Sequence, residues 1–501
     1  MTVITAVHRT VFEKRLKCRH EKRGVVFREI REIRAIAVPP IARTGRSLAS
    51  LVMTTHVVAM RSAMLAALLG IPLGAQTPIA FTHVSIVDAR STTPRSDQNV
   101  IVTGNRITAS GPASTTRVPA GARVIDATGK FMIPGLWDMH VHTTVAAGRT
   151  LLGLYVANGV TGVRDMAGDW NTLKTWRAEI DAGRLVGPRL IVSGPYLEGG
   201  DVPIPHILTR NAAEGRAGVD SLVKLGVDFI KVHGQLTPET YFAIARRARE
   251  KRIAFAGHVS RLVGSEAASD SGQRSIEHLL AVPAPCTPAE STALAPRYSV
   301  QGALGRCSSQ PLAPLYAKFV RNNTWMTPTF TAQVEVAGWP TKDVPGDSLA
   351  HYLPASLREY VAKIFPMPDS IPSNADSVGR AMLDKRLRQV ADMQRAGVRI
   401  LAGTDAPLRN SPPGFGLHEE LALLVRGGMS PFEALKSATF EPARYFDKLD
   451  AMGTIEARHL ADLVLLDANP LADIRNTRRI SVVVANGRLI DATQRRMLLG
   501  Q

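Results

Sequence analysis

Cysteine is nearly absent from this chain, with three in 501 residues. None falls in a CxxC or Cys/His spacing, which excludes the thiolate metal sites and redox pairs that such spacings build. Aromatic residues make up 5% of the chain and do not interleave with a basic stripe, so the formal charge of +18 does not describe a nucleic-acid-binding face. Half of that excess sits in residues 1–76, which carry 13 Lys and Arg against 4 Asp and Glu. The remainder is spread thinly, as a solvated basic surface. The apolar run that follows Met60 is shorter than the roughly 20 residues of a membrane span, and there is no low-complexity array or short repeat. Apolar content of 45% and charged content of 21% are those of an ordinary globular enzyme. The length gives room for one large barrel and a smaller domain.

Residues 1–59 are charge-dense and present no apolar face to bury. They read as an extension outside the fold or as a misassigned start, with translation beginning near Met53 or Met60; a regulatory or mitochondrial-type extension and a disordered tail are the alternatives. Residues 60–76, MRSAMLAALLGIPLGAQ, combine one positive charge, a short apolar stretch and small residues, the pattern of a secretory signal peptide. Its use predicts an exported protein, periplasmic or secreted; otherwise the chain is cytoplasmic. Cys18 lies in the extension. Cys286 and Cys307 flank a Pro/Ala/Ser-rich stretch, where they either pair to close a loop or stay as separate thiols.

Residues 78–133 and 453–495 alternate short β-like runs with turns such as GN and TGK. Two such segments at either end of an α/β centre predict one small composite β-sandwich built from both chain ends. Between them, over 134–452, strand-like runs (VTGVRDM, PRLIVSG, DFIKVHG, IAFAGHV) alternate with helix-like ones. TPETYFAIARRAREKR reads as a helix capped by Thr237 with Pro238 in its first turn. Repeated alternation predicts a parallel sheet. Closure into a (β/α)8 TIM barrel is favoured because it brings distant residues to one point. An insertion near 335–378 breaks the rhythm.

Six residues end or follow the apolar runs: His140 and His142 in PGLWDMHVHT, Lys231 in DFIKVHGQ, His258 in AFAGHVS, His278 in SIEHLL and Asp405 in ILAGTDAP. That is where a barrel presents its active-site side chains. His140 and His142 are two apart, so on a strand both point to one face and one metal ion. An isolated pair of this kind is weak; placed directly after PGLWDM it is specific. Lys231 lies in an apolar run, where burial favours the neutral amine. It either captures carbon dioxide as a metal-bridging carbamate or snorkels to the rim in an ion pair. His258 and His278 are twenty residues apart, one helix between two strands, and read with the others as ligands of a second ion. Asp405 suits a metal ligand that also carries a proton, although a helix N-cap is common in a TDAP turn. His233 shares the face of Lys231 and is a substrate or supporting contact. Arg164, His206, Tyr241 and His418 could contact substrate, although such residues are more often structural or solvated.

These motifs resemble the amidohydrolase superfamily over most of residues 78–495. The flanking phrases KFMIPGLWDMHVH, NGVTGVRDMAG, GPRLIVSG and ADLVLLDANPLADI carry the likeness along with the six residues. Within it the chain looks like the imidazolonepropionase-related and prolidase-like branch, which includes dipeptidases and N-acyl amino acid hydrolases. The resemblance implies a barrel with two divalent metal ions, zinc first, one held by His140, His142 and Asp405 and the other by His258 and His278. A carboxylated Lys231 bridges them, and a metal-bridging hydroxide attacks the carbonyl while Asp405 shuttles the proton. It implies a small-molecule substrate with a C–N bond, and it leaves homo-oligomerisation open. The same centre also suits a cyclic amide, ester, lactone or organophosphate. A silent barrel scaffold would have lost one or more of the six ligands, and all are present. Neither nucleic acid nor stable membrane insertion is expected.

Overall fold

The computed structural model describes residues 77–145, 148–287, 307–336, 347–364, 375–408 and 411–501. The expectations for 1–59, 60–76 and Cys18 lie outside the described residues. No described helix is long and apolar enough to cross a membrane.

Both ends of the described chain meet in one eight-stranded sheet. Its order is Arg488–Ile490, Ile480–Ala485, Leu463–Leu466, Phe131–Pro134, Ile79–Ile86, Arg95–Thr103 and Arg106–Pro112, with Arg123–Asp126 also paired to Ile79–Ile86. The ends join where Leu463–Leu466 runs antiparallel to Phe131–Pro134, Leu463 opposite Pro134 and Leu466 opposite Phe131. Strand side chains alternate faces, and here both faces are apolar. Met132, Leu463 and Leu465 pack inward with Phe81, Val100 and Val102. Ile133, Val464 and Leu466 point the other way, into the core of the barrel. The sheet therefore serves two cores, and a one-residue slip would exchange them.

The barrel strands are Leu136–Val141, Val160–Asp165, Arg189–Val192, Ile230–Val232, Phe255–Gly257, Ser275–Glu277 and Trp325–Thr327. Residues 399–402 complete the ring. The amide of Leu401 donates to Met326 O and that of Met139 to Ala402 O. The third and fourth strands are stitched by Asp228 N–H to Val192 O. The first two strands are buried at every position, as parallel strands covered on both faces are. This is a (β/α)8 barrel with an added sheet. Local chemistry sets the outer helices. Thr237 caps Pro238–Glu250 by accepting from Thr240 N–H. Asn211 caps Ala212–Leu225, and Gly226, in the left-handed region at φ 83°, ends it. After the sixth strand Cys286 and Cys307 form a disulfide, with Cα atoms 4.9 Å apart, which resolves the two open readings in favour of the pair. The insertion contains a 3-10 turn, Asp347–Tyr352, and a helix, Ala355–Ile364. Leu353, Leu357 and Val361 pack it on Leu151 and Leu154 of the helix after the first strand.

One buried acid is incompletely satisfied. Glu420, in the helix Phe415–Arg426, accepts the Thr331 amide at 3.0 Å with one oxygen. Its other oxygen has no hydrogen bond among the described residues. Burial pushes its pKa up to about 8.

Two outcomes are expected. Closing a loop of this length removes about 3 kcal/mol of unfolded-state entropy. Cys286→Ser/Cys307→Ser and dithiothreitol-treated parent should therefore melt together, several degrees below the oxidised protein in calorimetry; equal melting of all three would show that the bond contributes nothing. For Glu420, the unfolded carboxyl ionises near pH 4.3 while the folded one keeps its proton to about pH 8. Its contribution to stability therefore falls as pH rises through that window. Glu420→Gln should gain stability over the parent between pH 5 and pH 8 in urea titrations, and a constant difference would refute the assignment.

Candidate metal centre

All six residues singled out by sequence stand at barrel strand ends. His140 is in the first strand and His142 follows it; Lys231 is in the fourth. His258, His278 and Asp405 follow the fifth, the sixth and the closing segment. His142, Lys231, His258, His278 and Asp405 line one cavity of about 270 Å³, with His140 fully buried beside them. Asp405 Oδ1 lies 3.1 Å from His142 Nε2 and 3.3 Å from His140 Nε2. The ring of His278 is 4.5 Å from that of His140 and 4.8 Å from that of His258, centroid to centroid, so the two expected halves are contiguous. Asp405 caps no helix: the next one begins only at Phe415. His278 and Asp405 have φ of 59° and 63°, sparsely populated for such residues, and strain of this kind gathers at functional sites.

The donor set fits a cation. His140 Nδ1 is 2.8 Å from Glu277 Oε2. Burial alone would raise the Glu277 pKa, but Arg164 and the bond from His140 outweigh it and hold the acid well below the usual range. An ionised carboxylate only accepts, so Nδ1 carries the proton and Nε2 offers a lone pair. That Nε2 is buried without a hydrogen bond, although it faces the Asp405 oxygen. Two acceptors facing one another at this distance repel unless a positive charge lies between them. Ligands at about 2.1 Å from a tetrahedral ion stand about 3.4 Å apart, close to the spacings here. His140, His142 and Asp405 form a group that could hold one ion.

The electrostatics run the same way. Burial, then the neighbouring His140, draws His278 down to about 3. Burial, then His233 and Lys231, draws His258 well below its ordinary value. Both are therefore neutral, with lone pairs free. Burial lowers Lys231 to about 8, against the pull of Glu277 and Asp405. Its stem runs over Gly257, where a Cβ would stand 2.8 Å from Lys231 Cδ and 2.2 Å from Val232 O; any side chain there would displace the lysine.

A second layer fixes these groups, and sequence reasoning missed most of it. Arg164 was a candidate substrate contact, but it is fully buried beneath the cavity. Its Nη2 reaches both oxygens of Glu277 at 3.0 Å. Its other nitrogens donate to Met139 O, the Tyr445 hydroxyl and Ser275 Oγ. Asp138 accepts from the Thr404 amide and hydroxyl, tying the first strand to the segment that carries Asp405. Asp165 accepts the Thr143 amide and hydroxyl and so fixes the turn after His142. The other three candidates do not line the cavity either. Tyr241 bonds Gln273, His418 spans Thr477 and Asn158 O, and His206 stacks near Tyr196. The walls come from Tyr196 and Ile204 after the third strand and from Tyr360 and Val361 of the insertion.

Comparison with known proteins agrees with this architecture. No curated protein sequence matches the chain. Among solved structures, a candidate prolidase from Bifidobacterium longum is 24% identical with a TM-score of 0.63, over 85% of this chain and 99% of that one. A Xaa-Pro dipeptidase with methionine bound in its active site is 22% identical, TM-score 0.60, over 83% and 100%. Bottromycin amidohydrolase is 22% identical, TM-score 0.66, over 84% and 90%. At such identities these relatives speak for the fold. The profile of the amidohydrolase family matches residues 131–490, from the strand before the barrel to the last strand of the sheet, and the chain belongs to that family of metal-dependent hydrolases of carbon–nitrogen bonds.

Proposed function

We propose that the chain hydrolyses the amide bond of a dipeptide or N-acyl amino acid at a centre of two divalent ions, zinc first. His140, His142 and Asp405 would hold one ion and His258 and His278 the other, with Lys231 as a carbamate between them. The observation that carries this reading is the state of Lys231. It is 1% exposed, borders the cavity, and has no hydrogen bond or ion pair among the described residues. A buried ammonium without a partner is costly, and burial favours the neutral amine. That amine can form an N–C bond to carbon dioxide and release a proton, leaving an anion with two ligand oxygens.

When bound, the metal pair supplies Lewis acidity, acidifying a water and polarising the scissile carbonyl. Asp405 takes the proton of the attacking water on its carboxylate and returns it to the departing amine. Glu277 and Arg164 keep His140 in one tautomer and one orientation. The walls favour an apolar acyl group or side chain, through Val145, Ile204, Val259, Leu280, Tyr360 and Leu408. Arg261, which also lines the cavity, suits a substrate carboxylate. Export through the segment 60–76 agrees with the disulfide, since such bonds persist in oxidising compartments.

Metal content per chain, measured by mass spectrometry on zinc-supplied protein, should be about two in the parent and lower in Lys231→Ala. One ion in both would reduce Lys231 to a structural role. Asp405→Asn should lower kcat by about 10²- to 10⁴-fold on N-acyl amino acids. Glu277→Gln should weaken zinc binding by about 10- to 100-fold in chelator competition; unchanged affinity would dissociate Glu277 from the centre.

A further inference from the structure

His233 stands on the cavity wall beside the proposed centre and takes no part in it. Its backbone is pinned by a bond from its amide to Leu197 O at 3.1 Å. Its ring is packed between Tyr196, stacked at 4.7 Å with planes 24° apart, and His258, at 4.2 Å. Nδ1 is hydrogen-bonded to the carboxylate of Glu198. The Glu198 side chain is completely buried, and its other oxygen receives the amides of Gly199 at 2.6 Å and Gln235 at 3.0 Å. Donors converge on both oxygens, so this acid serves as an acceptor. His233 Nδ1 is then the donor of that bond, and Nε2 is the nitrogen of the ring left over.

That Nε2 has no hydrogen-bond partner among the described residues, and 26% of the side chain is exposed, on a residue that lines the cavity. His418 shows what a purely structural histidine does in this protein: it is buried, with Nδ1 bonded to Thr477 and Nε2 to Asn158 O. His233 has one nitrogen locked and the other held out. Glu198, the backbone amides and the Tyr196 stack fix that nitrogen at a wall whose other polar side chains outside the centre include Gln235, Arg261 and Gln333.

We infer that His233 Nε2 accepts a hydrogen bond from an N–H of the substrate, so that the site selects amides bearing N–H over esters of the same shape. This rests on the hydrolase reading of the same site and narrows it, because the six residues of the centre treat an amide and an ester alike. His233 is thus a specificity-determining residue, positioned by Glu198.

The test uses N-hexanoyl-leucine and the ester in which oxygen replaces its N–H, with the full chain at pH 8. Calorimetry on metal-free protein, which measures binding without turnover, should show the amide bound roughly three- to tenfold more tightly than the ester. His233→Phe should abolish the preference mainly through the amide, and His233→Gln, which keeps an acceptor, should restore part of it. Glu198→Gln, which loosens the aim of the ring, should reduce it. On zinc-loaded protein the preference should appear in KM, with metal content of His233→Phe equal to that of the parent. Equal binding of amide and ester by the parent, or of neither, would overturn the inference. So would an equal loss for both ligands in His233→Phe, or a loss of metal that made His233 a ligand. Failure of the loaded parent to hydrolyse either compound would instead count against the proposed substrate class, while the binding preference would still decide the role of His233.

Discussion

The ion pair of Arg164 and Glu277, sealed inside the barrel, is the interaction on which the site depends. Removing two charges from water costs several kcal/mol per ion, and attraction offsets that cost only when the remaining donors and acceptors are filled. Here they are filled from four strands: Met139 from the first, Arg164 itself from the second, Ser275 and Glu277 from the sixth and Thr327 from the seventh, with the Tyr445 hydroxyl beneath. The pair therefore acts as a cross-brace of the barrel interior. It also sets chemistry, since Glu277 decides which nitrogen of His140 bears hydrogen and so that the other offers its lone pair to Asp405.

The same device recurs across the cavity. Glu198 and His233 repeat the arrangement of Glu277 and His140, a buried carboxylate holding an imidazole by Nδ1. In one pair the free nitrogen meets the proposed ion; in the other it meets the space where a substrate would lie. Around both, burial keeps His258 and His278 neutral. The centre thus concentrates acceptors where a cation would bind.

Much of this was legible in the sequence, for a local reason. Strand ends deliver side chains to one face of a barrel, so six residues on five short apolar runs could be assigned to one point without knowing any distance. The sheet shared by the chain ends was legible from its alternating runs, though not its second apolar face. The role of Arg164 stayed open because a cation within an apolar run reads alike whether it faces a ligand or a buried acid; only the packing reveals Glu277 as its partner. Glu277 and Glu198 went unnoticed because a lone glutamate in a short strand carries no spacing signal, although a charge next to His278 in SIEHLL was visible. The wall residues themselves could not be read, since Tyr360 and Val361 reach the cavity from an insertion whose place depends on packing against Leu151 and Leu154.

The pairing of Leu463–Leu466 with Phe131–Pro134 has a consequence for how the chain is made. A ribosome must release the last strands before the sheet begun at Ile79 can close, and the barrel shares that sheet's outer apolar face. Contacts of such long sequence separation form late and slowly. Until then Ile133 and its neighbours present an uncovered, aggregation-prone surface. The newborn protein therefore spends its synthesis incompletely folded, a state that leaves it open to capture by a chaperone until the final strands lock.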